Sequence, residues 1–406
     1  MPFLLCALAT LLASGAKAAA THPPIERAHA VFESGRSARE IPIEVGGSGL
    51  LFVRARVSGT SFWFLLDTAS PSIFGERQAT RLGLLPEATS PPAGRGERKS
   101  SISALRNLTV ELPGVSLTQS AVSSFDVTPL QTALGHTVDG VLGTPFFSRF
   151  VVSINVEAKV LELFEPPANP QEEKGGALPI SLDGGLPYVE ATISLPGHPP
   201  LSGRFLIDTG ADIAVLLYSP FVDKHGLLDS SPKAVPETAG TKGDSMEAVC
   251  RAESLRLARL VLRQPLVTLS RSREGRLADP RHAGLIGAEV LRRFQIAFDY
   301  SRRRMTLRPN SHFPETFDYD ASGLTLQAQG PDLSTFEIRR VLPESPGAQA
   351  GLQTGDVLLA LDGRPVKELT LQGVRQLLRE AGKEYALSVF RQRQILQVRL
   401  KCRRLL

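Results

Sequence analysis

Cysteine is scarce in this chain. Three residues in 406, Cys6, Cys250 and Cys402, make no disulfide framework, so stability must come from an apolar core. Cys250 and Cys402 fall in different segments, with free thiols the default and a bridge between them the alternative. Long apolar runs are missing too. The stretch from Pro2 to about Ala16 is shorter than the roughly 20 residues that cross a bilayer, and no later run reaches that length, so no stable membrane span is expected. Seven scattered histidines show no ligand spacing, which leaves no metal site to propose. No Gly-x-Ser-x-Gly elbow occurs, and Gly46-Gly47-Ser48-Gly49 reads as a flexible turn. The net charge of +5 comes largely from dispersed arginines. Without a basic stripe interleaved with aromatics, nucleic acid is not an expected partner. Arg302-Arg303-Arg304 and 401–404 read as a solvated turn and a tail.

What is plentiful is glycine and proline, 35 and 30 residues. Together with short apolar runs they favour a mainly β body. The length suggests two or three domains at about 150 residues each. Residues 1–20 combine the short apolar stretch with small-residue steps before Thr21. They read as a cleaved secretory signal lacking the usual basic start, and imply a secreted or periplasmic protein. Residues 21–40 read as a polar lead-in with a short helix near 25–33.

The chain then repeats itself. Phe64-Leu65-Leu66-Asp67-Thr68-Ala69-Ser70 is answered by Phe205-Leu206-Ile207-Asp208-Thr209-Gly210-Ala211. Gly140 to Gly143 is answered by Gly284 to Gly287, and the short helix after Thr144 by that after Ala288. The closing hairpin ending at Phe164 is answered by the one ending at Leu307. Ordered repetition implies two similar β lobes, 21–170 and 171–310, about a pseudo-twofold axis, joined by the Pro/Glu/Gly-rich stretch 166–176. Residues 311–406 break the pattern and read as a separate domain with an amphipathic helix over 371–380.

An aspartate ending a buried strand carries a costly charge. Two of them meeting on the axis solve that problem by sharing one proton, which supplies a base for water and an acid for a carbonyl. On this reading Thr68 and Thr209 donate hydrogen bonds across the axis. The backbone N–H groups of Ala69 and Gly210 hold the inner carboxylate oxygens, and the two Gly-apolar-apolar-Gly strands back the loops.

Over residues 41–308 the paired motifs resemble the lobes of pepsin/retropepsin-type aspartic proteases. The resemblance implies a bilobal acid-protease β fold, Asp67 and Asp208 as catalytic dyad, a polypeptide substrate and no cofactor. It also implies a monomer, because both lobes share one chain. Ala69 stands where the family has glycine, so its Cβ is expected to crowd the axis. Ser70 is expected to hydrogen-bond the outer oxygen of Asp67, whereas Ala211 offers Asp208 no hydroxyl, which points to Asp208 as the protonated acid. Flap candidates are Gly94-Arg95-Gly96 and Gly240-Thr241-Lys242-Gly243. Residues 311–406 resemble a PDZ domain, a small β-barrel or sandwich with a helix. Gly323-Leu324-Thr325-Leu326 stands at the family's carboxylate-binding loop, and Ser345-Pro346, Gly351-Leu352 and Gly355-Asp356 match its core signature. The resemblance implies capture of a peptide C-terminus as an added strand, or docking of the groove within the same chain. The function expected is an aspartic endopeptidase with a PDZ domain; the alternative is a non-catalytic peptide-binding scaffold of the same fold.

Overall fold

The computed structural model describes residues 28–85, 87–88, 103–167, 177–230, 235–238 and 246–406. The leader and both flap candidates lie outside the described residues, as does most of the connecting stretch, 168–176.

Each lobe is built on a hairpin that delivers its aspartate. In the first, Leu50–Val57 and Thr60–Leu66 pair antiparallel with Phe52 opposite Leu65. Ser58 and Gly59 both take positive φ, 48° and 78°, the two-residue turn whose twist suits a hairpin. In the second, Leu186–Ser194 and Leu201–Ile207 pair with Tyr188 opposite Leu206. Asp67 and Asp208 each follow two residues after that matched pair. Behind each loop runs a short parallel strand, with Phe64 opposite Gly140 and Phe205 opposite Gly284. Such strands are covered on both faces and therefore apolar throughout; Phe64, Leu65, Leu66, Phe205, Leu206 and Ile207 are all buried.

The lobes are joined by a shared sheet. Val151–Asn155 of the first lobe pairs antiparallel with Phe294–Asp299 of the second, with Val152 opposite Phe298 and Ile154 opposite Ile296. Val160–Phe164 and Ser37–Gly46 continue the sheet on one side, Arg304–Pro309 and Ala177–Pro179 on the other. Phe147 meets Phe298 edge to face at 5.5 Å, and one apolar core runs through both lobes. The helix expected near 25–33 is instead, over its described part, a strand: Ala28–Phe32 pairs with Val115–Phe125, Ala30 opposite Leu117. Its alternate residue Ala30 is buried, and Phe32 packs edge to face on Phe150 at 5.8 Å, so the tertiary partner overrides local preference.

The connector after the second lobe belongs to that lobe. Arg293 is fully buried; it donates to the carbonyls of His312, Glu315 and Thr316 and lies 3.7 Å from the Phe317 ring centre. A separate core begins at Ala321. There a sheet runs in the order Leu324–Gln329, Thr335–Val341, Val357–Leu361, Glu384–Arg391, Gln394–Lys401. The helix Leu371–Leu377, shorter than expected, is capped by Thr370, whose hydroxyl accepts from the Gly373 N–H at 3.0 Å. Cys250 and Cys402 are both buried free thiols. Among the described residues, no helix is long and apolar enough to cross a membrane.

Candidate active site

The two Asp-Thr loops meet at the centre of the bilobal body and lock reciprocally. The Thr68 N–H donates to Thr209 Oγ1 and the Thr209 N–H to Thr68 Oγ1, both at 3.1 Å. Each hydroxyl then donates onward to the opposite strand, Thr68 Oγ1 to Ile207 O at 2.6 Å and Thr209 Oγ1 to Leu66 O at 2.9 Å. Four buried bonds thus tie residues far apart in sequence, each carrying a penalty if left unmade. The backing strands hold the aspartates themselves: the Asp67 N–H donates to Leu142 O at 3.1 Å, the Asp208 N–H to Ile286 O at 3.0 Å. The helices beyond grip the far ends of the loops. The N–H of Thr144 donates to Ser70 O and that of Ala288 to Ala211 O, both at 2.8 Å.

Both carboxylates are almost fully buried. The Ala69 N–H donates to Asp67 Oδ1 at 2.8 Å, and the Gly210 N–H to Asp208 Oδ1 at 3.0 Å. The two side chains lie side by side, each acting on the other's ionisation. The Asp67 carboxylate rests against the second loop so closely that a Cβ on Gly210 would stand 2.5 Å from its Oδ2. Burial raises both acids: Asp208 to about 6, and Asp67 well above the ordinary range, the latter further by the Asp208 charge beside it.

The two acids titrate as a coupled pair, so one proton belongs to both. The Asp208 anion is favoured by Arg276 and by the Gly210 N–H. Asp67 is lowered by the Ala69 N–H and by Arg276, against burial and the Asp208 charge. The Ser70 hydroxyl does not reach Asp67; it donates to Pro71 O at 2.8 Å. Nor does Ala69 crowd the axis. Its methyl is buried in an apolar cluster with Tyr188, Leu206, Ala211, Ile213 and Leu277, and its φ is not in the left-handed region.

Arg276 is the site residue that the sequence does not single out. It opens the short 3-10 turn Arg276–Ala278 of the second lobe and reaches across to the first, donating from Nη1 to Ala69 O at 3.0 Å. The first lobe has the helix Thr128–Leu134 in the corresponding stretch before its backing strand. The only trace of this residue in the sequence is that local failure of the repeat. His136 and His282 are matched instead as packing groups. The first stacks on Phe52 at 3.8 Å, the second on Tyr188 at 3.9 Å. Asp139 is structural, accepting from the Trp63 N–H at 2.9 Å and Gln78 Nε2 at 2.7 Å.

The loop of the C-terminal domain expected to bind a carboxylate is turned inward. The N–H groups of Ser322 and Gly323 donate to Asp320, and the Leu324 N–H donates to Ser322 Oγ at 3.1 Å. Leu326 is buried, and Thr325 and Leu326 flank a bulge in the strand pair.

Two facing β lobes with a buried aspartate pair on their axis define the aspartic-protease type of fold. Comparison with known families agrees: residues 53–146 match the aspartyl protease family model, and residues 337–389 match that of the PDZ domain. The chain thus joins an aspartyl protease domain to a PDZ domain. Among solved structures, conglutin gamma from lupine seeds is 16% identical over 70% of this chain and 98% of its own, with a TM-score of 0.40. Basic 7S globulin from soybean is 12% identical over 68% and 97%, with a TM-score of 0.38. The HtrA3 PDZ domain bound to a phage-derived ligand is 22% identical over 20% and 84%, with a TM-score of 0.18. No curated protein matches the chain.

Proposed function

We propose that this protein is an aspartic endopeptidase, active as a single chain, whose PDZ domain binds the C-terminus of a substrate or partner polypeptide. The observation that carries this reading is the pair of buried, electrostatically coupled carboxylates clamped by Thr68 and Thr209. One proton shared between them is the state that amide hydrolysis requires.

In this mechanism Asp208 is the base. It takes a proton from the water while Asp67 gives its proton to the substrate carbonyl oxygen, and the water oxygen bonds to the carbonyl carbon. Asp208 then passes its proton to the amide nitrogen as the C–N bond breaks. Asp67 recovers a proton from the tetrahedral hydroxyl, and the pair returns to its starting charge. The Ala69 and Gly210 N–H groups and the threonine lock keep both carboxylates in place without reorganisation. Proximity of Arg276 to the pair supports one retained negative charge at weakly acidic pH.

The test is cleavage of an unstructured polypeptide by the wild type, Asp67→Asn and Asp208→Asn. Cleavage by the wild type alone is expected. Equal cleavage by all three overturns the mechanism, and cleavage by none favours a peptide-binding scaffold.

A further inference from the structure

The PDZ groove lies between the edge strand Leu324–Gln329 and the helix Leu371–Leu377. Among the described residues the strand pairs only with Thr335–Val341, so its other edge is the one an incoming peptide would use. That edge faces the helix Thr128–Leu134 of the first lobe. Gln327 Nε2 donates to Thr132 Oγ1 at 2.7 Å. Arg375, on the groove helix, donates through one nitrogen to Leu326 O of the edge strand at 2.8 Å and to Ala133 O of the lobe at 3.0 Å. Gln372 Nε2 donates to Leu134 O at 3.2 Å. Packing is equally close, since a Cβ on Gly135 would stand 2.8 Å from Leu371 Cδ2.

The second lobe covers the other end. A cavity of about 160 Å³ has the loop residues Gly323 and Leu324 on its PDZ side together with Arg375 and Arg379, and Asp212 and Glu289 on its lobe side. Arg379 and Arg375 line this cavity with Glu289 and Asp212, and Arg379 favours the Glu289 anion as Asp212 favours the Arg375 cation. Acid groups of the lobe thus occupy the electrostatic place of a ligand carboxylate. Asp212 also directly follows the Asp208 loop at Ala211, and the Glu289 N–H donates to Ile213 O at 3.1 Å.

We infer that both protease lobes hold the PDZ groove shut, so that a polypeptide terminus with a free carboxylate and the lobes compete for one strand edge and one set of arginines. This rests on the peptide-binding reading above. A peptide strand pairing with Leu326 O takes that acceptor from Arg375, and Arg375 is the residue that also grips Ala133. Its carboxylate draws Arg375 and Arg379 from Asp212 and Glu289. Release of the 128–134 helix reaches the strand Gly140–Leu142, whose Leu142 O holds the Asp67 N–H.

The experiment uses the full chain carrying Asp208→Asn, so that probes stay intact and binding is read apart from hydrolysis. The probe is a pooled pentapeptide library with free C-termini, and its amidated counterpart is the control. Thr132→Ala, which lies outside the PDZ domain, removes the partner of Gln327. It is expected to tighten binding of the free-carboxylate pool by roughly three- to tenfold, the range of one lost hydrogen bond. Hydrogen exchange of amides 128–134 is expected to speed up when the tightest-binding peptide is present. Binding with unchanged exchange and no gain from Thr132→Ala overturns the competition and leaves peptide binding intact. Absence of binding in every variant overturns the peptide reading and the competition with it.

Discussion

Replacing Gly210 with alanine tests the closeness of the two loops. The new Cβ would stand 2.5 Å from Asp67 Oδ2 and 2.9 Å from Oδ1, nearly 1 Å inside ordinary van der Waals contact. The carboxylate is held by the Ala69 N–H, so it cannot yield without straining or losing that bond. Misplacement of a reacting group by about 1 Å costs on the order of 100-fold in rate. Overpacking costs about 1–3 kcal/mol, offset by roughly 0.4–1 kcal/mol because alanine restricts the unfolded chain more than glycine. The expected outcome is therefore kcat reduced about 100-fold and stability lowered by about 1–2 kcal/mol. Ala69→Gly is the control from the opposite loop. Its methyl fills an apolar cluster, so removing it costs about 1–2 kcal/mol in burial and chain entropy and is expected to leave kcat within a few-fold. The assay is steady-state hydrolysis of a peptide found in a cleavage screen, with urea unfolding for stability. A Gly210→Ala enzyme with the wild-type kcat would refute the contact between the loops.

Other outcomes follow from the same geometry. Thr68→Val removes one hydroxyl that both accepts and donates across the axis, and should lower unfolding stability by about 2–4 kcal/mol. Thr209→Val should do the same, and the double variant less than the sum, which a double-mutant cycle in urea reads directly. Asp208 is raised on folding from 3.8 to about 6, so its stabilising contribution is complete below pH 4 and lost as pH rises through 6. That loss is on the order of 3 kcal/mol. Asp208→Asn should flatten the corresponding part of the stability profile. The rate should rise through the same window, as Asp208 becomes the base, and fall at higher pH as Asp67 gives up its proton; a rate that falls steadily from pH 4 to 7 contradicts the assignment. Arg276→Gln should move the rising limb upward, with Arg276→Lys restoring part of the shift, because the positive charge that favours the Asp208 anion is lost in one and kept in the other.

The parts of the molecule that repeat were legible in the sequence. The Asp-Thr loops, their backing strands and the closing hairpins recur in order, so the meeting of the two aspartates, their threonine pair and their backbone donors can be read from the repeat. What escaped reading lies where the halves differ. Arg276 has no counterpart in the first lobe, and its hydrogen bond to Ala69 O joins positions that no motif links. The expected bond from Ser70 to Asp67 is not made either, because that hydroxyl turns to the Pro71 carbonyl, a choice of rotamer that no motif encodes. Residues 28–32 are too short a run for helix and strand periods to be told apart, and their state is set by the strand beside them.

Arg293 has a consequence for the whole molecule. Its guanidinium fans out to the carbonyls of His312, Glu315 and Thr316 and lies on an aromatic ring, a fit that a lysine ammonium does not reproduce. Residues 312–317 are thereby moored to the protease body. If the PDZ unit lets go of the first lobe, it remains leashed at a fixed pivot just beyond Phe317 and swings about it like a gate on its post. Its local concentration near the lobes then stays high enough for the gate to close again once the visiting chain departs.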